Sequence, residues 1–167
     1  MGRGMPGGGG RLAGSEVSQV TVIAWDGKTL AADKQSTNQG HASMVTKIYR
    51  SGDDLVAICG GLARGMAMRR WYEAGRDSAT FPKPADADDF AILLVVHRDG
   101  TVDKYESMEH PLHIESPYCA TGSGRDFALL AMHLGYDARR AVELACELSV
   151  DCGMGIDTLT FTDGPGE

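Results

Sequence analysis

From Val20 onward, apolar positions fall into short regular runs separated by turn signals. Residues 20–25 are β-branched and aromatic, Asp26-Gly27 follows, and residues 28–33 resume an extended pattern. Asp-Gly between two such runs predicts a hairpin, because glycine accepts the positive φ of a tight turn. A second pair, 45–50 and 55–59, brackets Ser51-Gly52-Asp53-Asp54, and a third, 90–97 and 101–105, brackets Asp99-Gly100. Helices fall between and after the hairpins. Residues 62–74 place Ala63, Ala67 and Trp71 on one face, with Leu62 and Met66 beside them. Residues 125–134 carry Phe127, Leu130, Ala131 and Leu134 at i, i+3, i+4, i+7, which predicts that this face is buried. Asp137 caps a further helix with Ala141, Leu144, Ala145 and Leu148 in the same spacing. A strand over 156–162 ends the pattern, and residues 76–89, with Pro82 and Pro84, read as a loop. Strands and helices are grouped, not alternating. The prediction is an α+β domain with antiparallel sheet packed against helices, and a doubly wound parallel sheet is set aside.

Composition narrows the function classes. Sixteen basic against 23 acidic residues give a net charge of −7, the wrong sign for a nucleic-acid surface. No apolar run approaches the roughly 18 residues of a membrane span, so no membrane insertion is expected. Cys59, Cys119, Cys146 and Cys152 are scattered without a C-x-x-C pair, which reads as reduced thiols in a cytoplasmic protein. Seven of the 22 glycines lie in the first 14 residues, which lack the apolar centre of a signal peptide. One domain over 21–162 is expected, after a disordered leader at 1–20 and before a flexible Gly/Pro tail at 163–167.

Familiar site motifs fail on their spacing. Gly27-Lys28-Thr29 would end a phosphate-binding loop only with glycine at position 22, which is Val22. Gly122-Ser123-Gly124 meets Phe127 where a dinucleotide fingerprint needs a small residue, and Thr121 where a nucleophile elbow needs glycine. His110 and His113 flank Pro111 off any helix, with no third ligand nearby. No cofactor or metal is expected.

One constellation survives. A two-residue turn at Asp26-Gly27 pairs Trp25 with Lys28 and Thr21 with Ala32, which leaves Asp33 at the open end beside Thr21. In the next hairpin Lys47 falls opposite Ile58, just before Gly60-Gly61 and a helix. A hydroxyl, a carboxylate and an ammonium can thus converge near backbone N–H groups. That set suits acyl transfer, because an N-terminal threonine carries its own α-amine as base. A lysine ammonium would favour the alkoxide, an aspartate would hold the lysine, and the Gly60 N–H could face an oxyanion.

The segments Thr21 to Asp33, Thr46-Lys47-Ile48-Tyr49-Arg50, Ile58-Cys59-Gly60-Gly61 and Thr121-Gly122-Ser123-Gly124 together resemble the proteasome β-subunit and HslV-type peptidase family. The likeness is strongest to short bacterial and phage-encoded members, and it runs from Val20 to Phe161. It implies the fold of N-terminal nucleophile hydrolases, a four-layer αββα sandwich with two antiparallel sheets between helical layers. It implies Thr21 as nucleophile and general base, Asp33 and Lys47 as the supporting charge pair, Gly60 as oxyanion donor and Ser123 as a hydroxyl near the amine. Ile58 would line the pocket for the substrate side chain preceding the cut. Polypeptide substrates, a homo-oligomeric stacked ring and a separate ATPase unfoldase ring are the implied partners.

Two departures accompany the likeness. The family's aspartate near the end of the domain falls on Ser149, and Asp151, two positions along, would share its face if the segment were extended. Family propeptides end in glycine, whereas Val20 precedes Thr21 here. The expectation is that Val20 is the true start, translated as methionine from a GTG codon, with autocleavage and non-processing as the alternatives. A structural ring subunit without catalysis and an amidase acting on a small molecule are the rival readings.

Overall fold

The computed structural model describes residues 21–162; the leader expected at 1–20 and the tail expected at 163–167 lie outside them. Strands β1 (Val22–Trp25) and β2 (Thr29–Asp33) form the first expected hairpin. Its register pairs Trp25 with Leu30 and Ile23 with Ala32, two residues further along than a two-residue turn would set it. The Asp26 carboxylate explains the longer loop, because it accepts hydrogen bonds from the backbone N–H of both Lys28 (2.9 Å) and Thr29 (2.7 Å). A slip of two residues keeps each side chain on its original face, so the core pattern survives.

A second hairpin, β3 (Gln35–Asn38) with β4 (His41–Met44), forms a separate two-stranded sheet. Strands β5 (Ile48–Ser51) and β6 (Asp54–Gly60) follow, then helix α1 (Leu62–Glu73). The loop expected over 76–89 contains one 3-10 turn, Ser78–Thr80. Strands β7 (Ala91–Val96), β8 (Val102–Tyr105), β9 (Leu112–Ile114) and β10 (Cys119–Gly122) come next. Helices α2 (Arg125–His133) and α3 (Ala138–Leu148) and strand β11 (Ile156–Thr160) complete the order.

Two larger sheets result, β10-β1-β2-β11 and β5-β6-β7-β8-β9, and every pairing in them is antiparallel. Alternation along each strand divides the buried side chains among three cores. Ile23, Trp25, Leu30 and Ala32 meet Leu55, Ala57, Cys59, Ile92 and Leu94 between the two sheets. Val22, Ala24 and Ala31 face α2 and α3 on the other side of the first sheet. Val56, Ile58, Leu93 and Val95 face Met68 and Trp71 of α1 on the outer side of the second. Burying each such aliphatic or aromatic side chain contributes about 1.5–3 kcal/mol, so these cores drive the assembly.

Two helical faces differ from expectation. Helix α1 buries Gly65, Met68 and Trp71 in place of the Ala63–Ala67 face, because Gly65 lets the helix sit directly on Ile58. Arg64 is buried beside them, donating to the carbonyls of Pro82, Ala91 and Glu106, and burial lowers its pKa. Helix α2 buries Ala128, Ala131 and Met132, whereas Phe127, Leu130 and Leu134 are exposed. The small Ala128 and Ala131 bring α2 close to β1, and Phe127 and Leu130 are turned outward.

Candidate functional site

Thr21 immediately precedes β1, and the hairpin register carried one step further places Val22 beside Asp33. The Val22 N–H donates to Asp33 Oδ1 at 2.9 Å. Lys47 precedes β5, and the Ile58 N–H donates to its carbonyl at 2.8 Å, the cross-strand position read from the sequence. Packing of the two sheets then brings the ends of β1, β2 and β5 together. Thr21, Asp33 and Lys47 are 2%, 1% and 3% exposed, in a setting where polar groups must be paired.

They are paired with one another. Lys47 Nζ donates to Thr21 Oγ1 at 2.6 Å and to Asp33 Oδ1 at 2.8 Å. Thr21 Oγ1 donates to Asp33 Oδ1 at 3.0 Å. The second carboxylate oxygen, Asp33 Oδ2, accepts from the backbone N–H of Gln35 (3.1 Å) and Gly153 (3.2 Å). An ammonium this close to a hydroxyl favours its alkoxide, and a carboxylate fixed by five donors holds the ammonium in place.

Ser123 adjoins Thr21 from the end of β10. The Thr21 N–H donates to Ser123 Oγ at 3.2 Å, and the Ser123 hydroxyl donates back to the Thr21 carbonyl at 3.2 Å. Gly122 makes this approach possible: its φ is +97°, and a Cβ there would stand 2.3 Å from the Thr21 carbonyl oxygen. Gly60 has φ +86° and would put a Cβ 2.6 Å from the Phe90 carbonyl oxygen, so no side chain fits at the bend where β6 turns into α1. Its neighbour Cys59 meets the Thr121 hydroxyl and feels Lys47 and Asp33, while burial pushes its thiol up to about 11. A cavity of about 280 Å³ borders Thr121 and Gly122, with Phe90 and Ile92 as apolar wall and Lys104, Glu106 and Arg125 as charged lining.

Two expected site residues lie elsewhere. Ile58 is fully enclosed in the core beneath α1, against Gly65, because alternation along β6 turns it away from the space between the sheets. In this structure it packs under α1, away from the space between the sheets. Asp151 sits in the turn between α3 and β11, and among the described residues its carboxylate makes no hydrogen bond to Thr21 or Ser123. The expectation required an extended segment, and the turn removes the shared face. What the turn supplies instead is the Gly153 N–H on Asp33 and the buried side chain of Cys152, neither of which carries a sequence signal stronger than a Cys-Gly step.

No protein-family model matches the chain, and no curated protein matches it. Among solved structures it is similar to Thiobacillus denitrificans BPH in complex with epoxomicin, with a TM-score of 0.59 and 17% sequence identity. The match covers 86% of this chain and 99% of that one. At that identity the likeness shows a shared α+β fold, and no helix among the described residues is long and apolar enough to cross a membrane.

Proposed function

We propose that the chain is a threonine-type endopeptidase subunit with the sandwich fold of N-terminal nucleophile hydrolases, working in a proteasome-like ring on unfolded polypeptides in the cytoplasm. The observation that carries the reading is the Thr21 hydroxyl, buried between the Lys47 ammonium at 2.6 Å and the Asp33 carboxylate at 3.0 Å. Thr21 Oγ1 attacks the scissile carbonyl while its own α-amine, freed by loss of residues 1–20, takes the hydroxyl proton. The Gly60 N–H stabilises the oxyanion, and the amine later returns the proton to the leaving amine. Water then hydrolyses the acyl-threonine ester. The helix–sheet–sheet–helix order of the three cores supports the fold assignment. The exposed Phe127, Leu130 and Leu134 stripe supports assembly, since a ring contact would bury it. A separate ATPase ring would feed the chamber.

Intact mass spectrometry of wild type and Thr21→Ala, each with and without epoxomicin, tests this. A wild-type chain beginning at Thr21 that gains the mass of one epoxomicin, with no adduct on Thr21→Ala, is the expected result. Full-length protein in both, with no adduct, would refute it. One observation favours a second reading, a ring subunit of the same fold with impaired catalysis: the Asp151 carboxylate does not reach the amine. Equal absence of peptide hydrolysis in wild type and Thr21→Ala, with the ring intact by light scattering, would select it.

A further inference from the structure

The core between the two sheets ends unevenly. Strand β10 is the edge of the first sheet, whereas the second sheet continues through β7 and β8 to β9. Phe90, Ile114 and Cys119 pack onto that core only in part and border the cavity of about 280 Å³, with Ile92 and Leu94 as its inner wall. Two parts of the candidate site adjoin it. A Cβ on Gly60 would stand 2.9 Å from Phe90 Cδ1, and Gly122, packed against Thr21, belongs to the lining. The Phe90 wall is held from several directions. The Gly61 N–H donates to the Phe90 carbonyl at 2.7 Å, and the buried Arg64 donates to the carbonyls of Asp89 and Ala91, each at 3.3 Å. The charged groups at the cavity have carboxylate or cation neighbours of their own, Lys104 with Glu106 at 2.8 Å and Arg125 with Asp126 at 3.4 Å. A preformed recess with apolar walls and paired charges suits one bulky hydrocarbon side chain.

We propose that this cavity takes the side chain of the substrate residue that follows the cut, and that it selects a bulky apolar one such as leucine or phenylalanine. The inference rests on the threonine peptidase reading and adds a substrate preference to it. The side of the cut follows from the path of the proton. The Thr21 amine returns its proton to the leaving nitrogen, so that nitrogen must come to lie beside Thr21 N. Thr21 N is held against Ser123, next to Gly122 at the cavity. In the sheet β1 separates β10 from β2, so Asp33, and Lys47 paired with it, stand on the other side of Thr21. An apolar side chain entering from the leaving side extends the core between the sheets, a gain that glycine or aspartate at that position does not make.

The test uses assembled, processed protein and peptides identical except for the residue after the cut, which is Gly, Asp, Leu, Phe or Trp, with the cleavage position read by mass spectrometry. Wild type should cleave the Leu and Phe peptides with kcat/KM at least about tenfold above Gly and Asp. Ile114→Trp, which fills the cavity from the half-buried position on β9, should bring Leu and Phe to within about twofold of Gly. The preference for the residue before the cut, measured on a second peptide series, should stay as in wild type. Folded Ile114→Trp that keeps the Leu and Phe preference overturns the proposal, as does one that alters only the preference before the cut. Ile114→Trp that disperses the assembly assigns the cavity to a neighbouring copy and overturns it too. Should Ile114→Trp not fold, Ile114→Ala decides: it widens the cavity, so the preference must move from Leu toward Trp, and an unchanged order overturns the proposal. Wild type that neither cleaves peptide nor takes up epoxomicin overturns the peptidase reading and this inference with it. Active wild type indifferent to the residue after the cut overturns this inference only.

Discussion

Removing Asp33 should cost this protein far more stability than removing Lys47, although the two form one buried ion pair. Their N–O separation is 2.8 Å with side chains 0% and 3% exposed. At an effective dielectric of about 20, the attraction at that distance is about 6 kcal/mol, and desolvation offsets part of it. Breaking such a pair from either side costs about 3–5 kcal/mol. Lys47→Met stops there, because the Asp33 carboxylate keeps Thr21 Oγ1 and the N–H groups of Val22, Gln35 and Gly153. Asp33→Ala strips the acceptor from those three backbone donors as well, at about 1–3 kcal/mol each. Its total of about 6–14 kcal/mol spans the whole stability of an ordinary domain. Urea unfolding followed by the fluorescence of the buried Trp25 and Trp71 measures both variants. Lys47→Met should fold with a lowered midpoint, and Asp33→Ala should be unfolded or insoluble. Asp33→Ala losing no more than Lys47→Met would refute the reasoning, since the carboxylate would then not be the hub that joins β1, β2 and the turn before β11.

Gly65→Ala should lower Tm by several degrees despite alanine's better helix propensity. The new Cβ would stand 2.1 Å from Ile58 Cγ2, and overpacking of this kind costs about 1–3 kcal/mol; differential scanning calorimetry reads it. Alkali should destabilise the fold between about pH 9 and about pH 11, because burial raises the Cys59 thiol from 9.0 to about 11. The stability is present below the unfolded pKa and lost as pH rises through the folded one, about 3 kcal/mol in all. Cys59→Ala should fall less over that range in urea titrations at pH 8 and pH 11. Asp137→Ala should cost about 1 kcal/mol in the same titration, since the carboxylate caps α3 by accepting the Arg140 N–H at 2.8 Å.

Local chemistry settled a good part of this protein in advance. The Asp-Gly turns and alternating runs specify the hairpins β1–β2, β5–β6 and β7–β8, and hairpin pairing alone puts Asp33 near Thr21 and Lys47 across from Ile58. These features are legible because partners close in sequence fix each other through short loops and backbone register. The polar hairpin β3–β4 was not legible, because its side chains are mostly exposed and carry no apolar alternation. Nor was the outward face of α2: periodicity marks a stripe but not its direction, and the close approach of Ala128 and Ala131 to β1 decided it. The same holds at the site. Alternation along β6 does not say which face of the sheet α1 covers, so the side on which Ile58 packs was not legible, and Gly153 reaches Asp33 across 120 residues. Sequence thus determined which groups stand at the ends of the strands, and only the packing of two sheets, with the turn before β11 closed over them, decided that a hydroxyl, an ammonium and a carboxylate share one buried point.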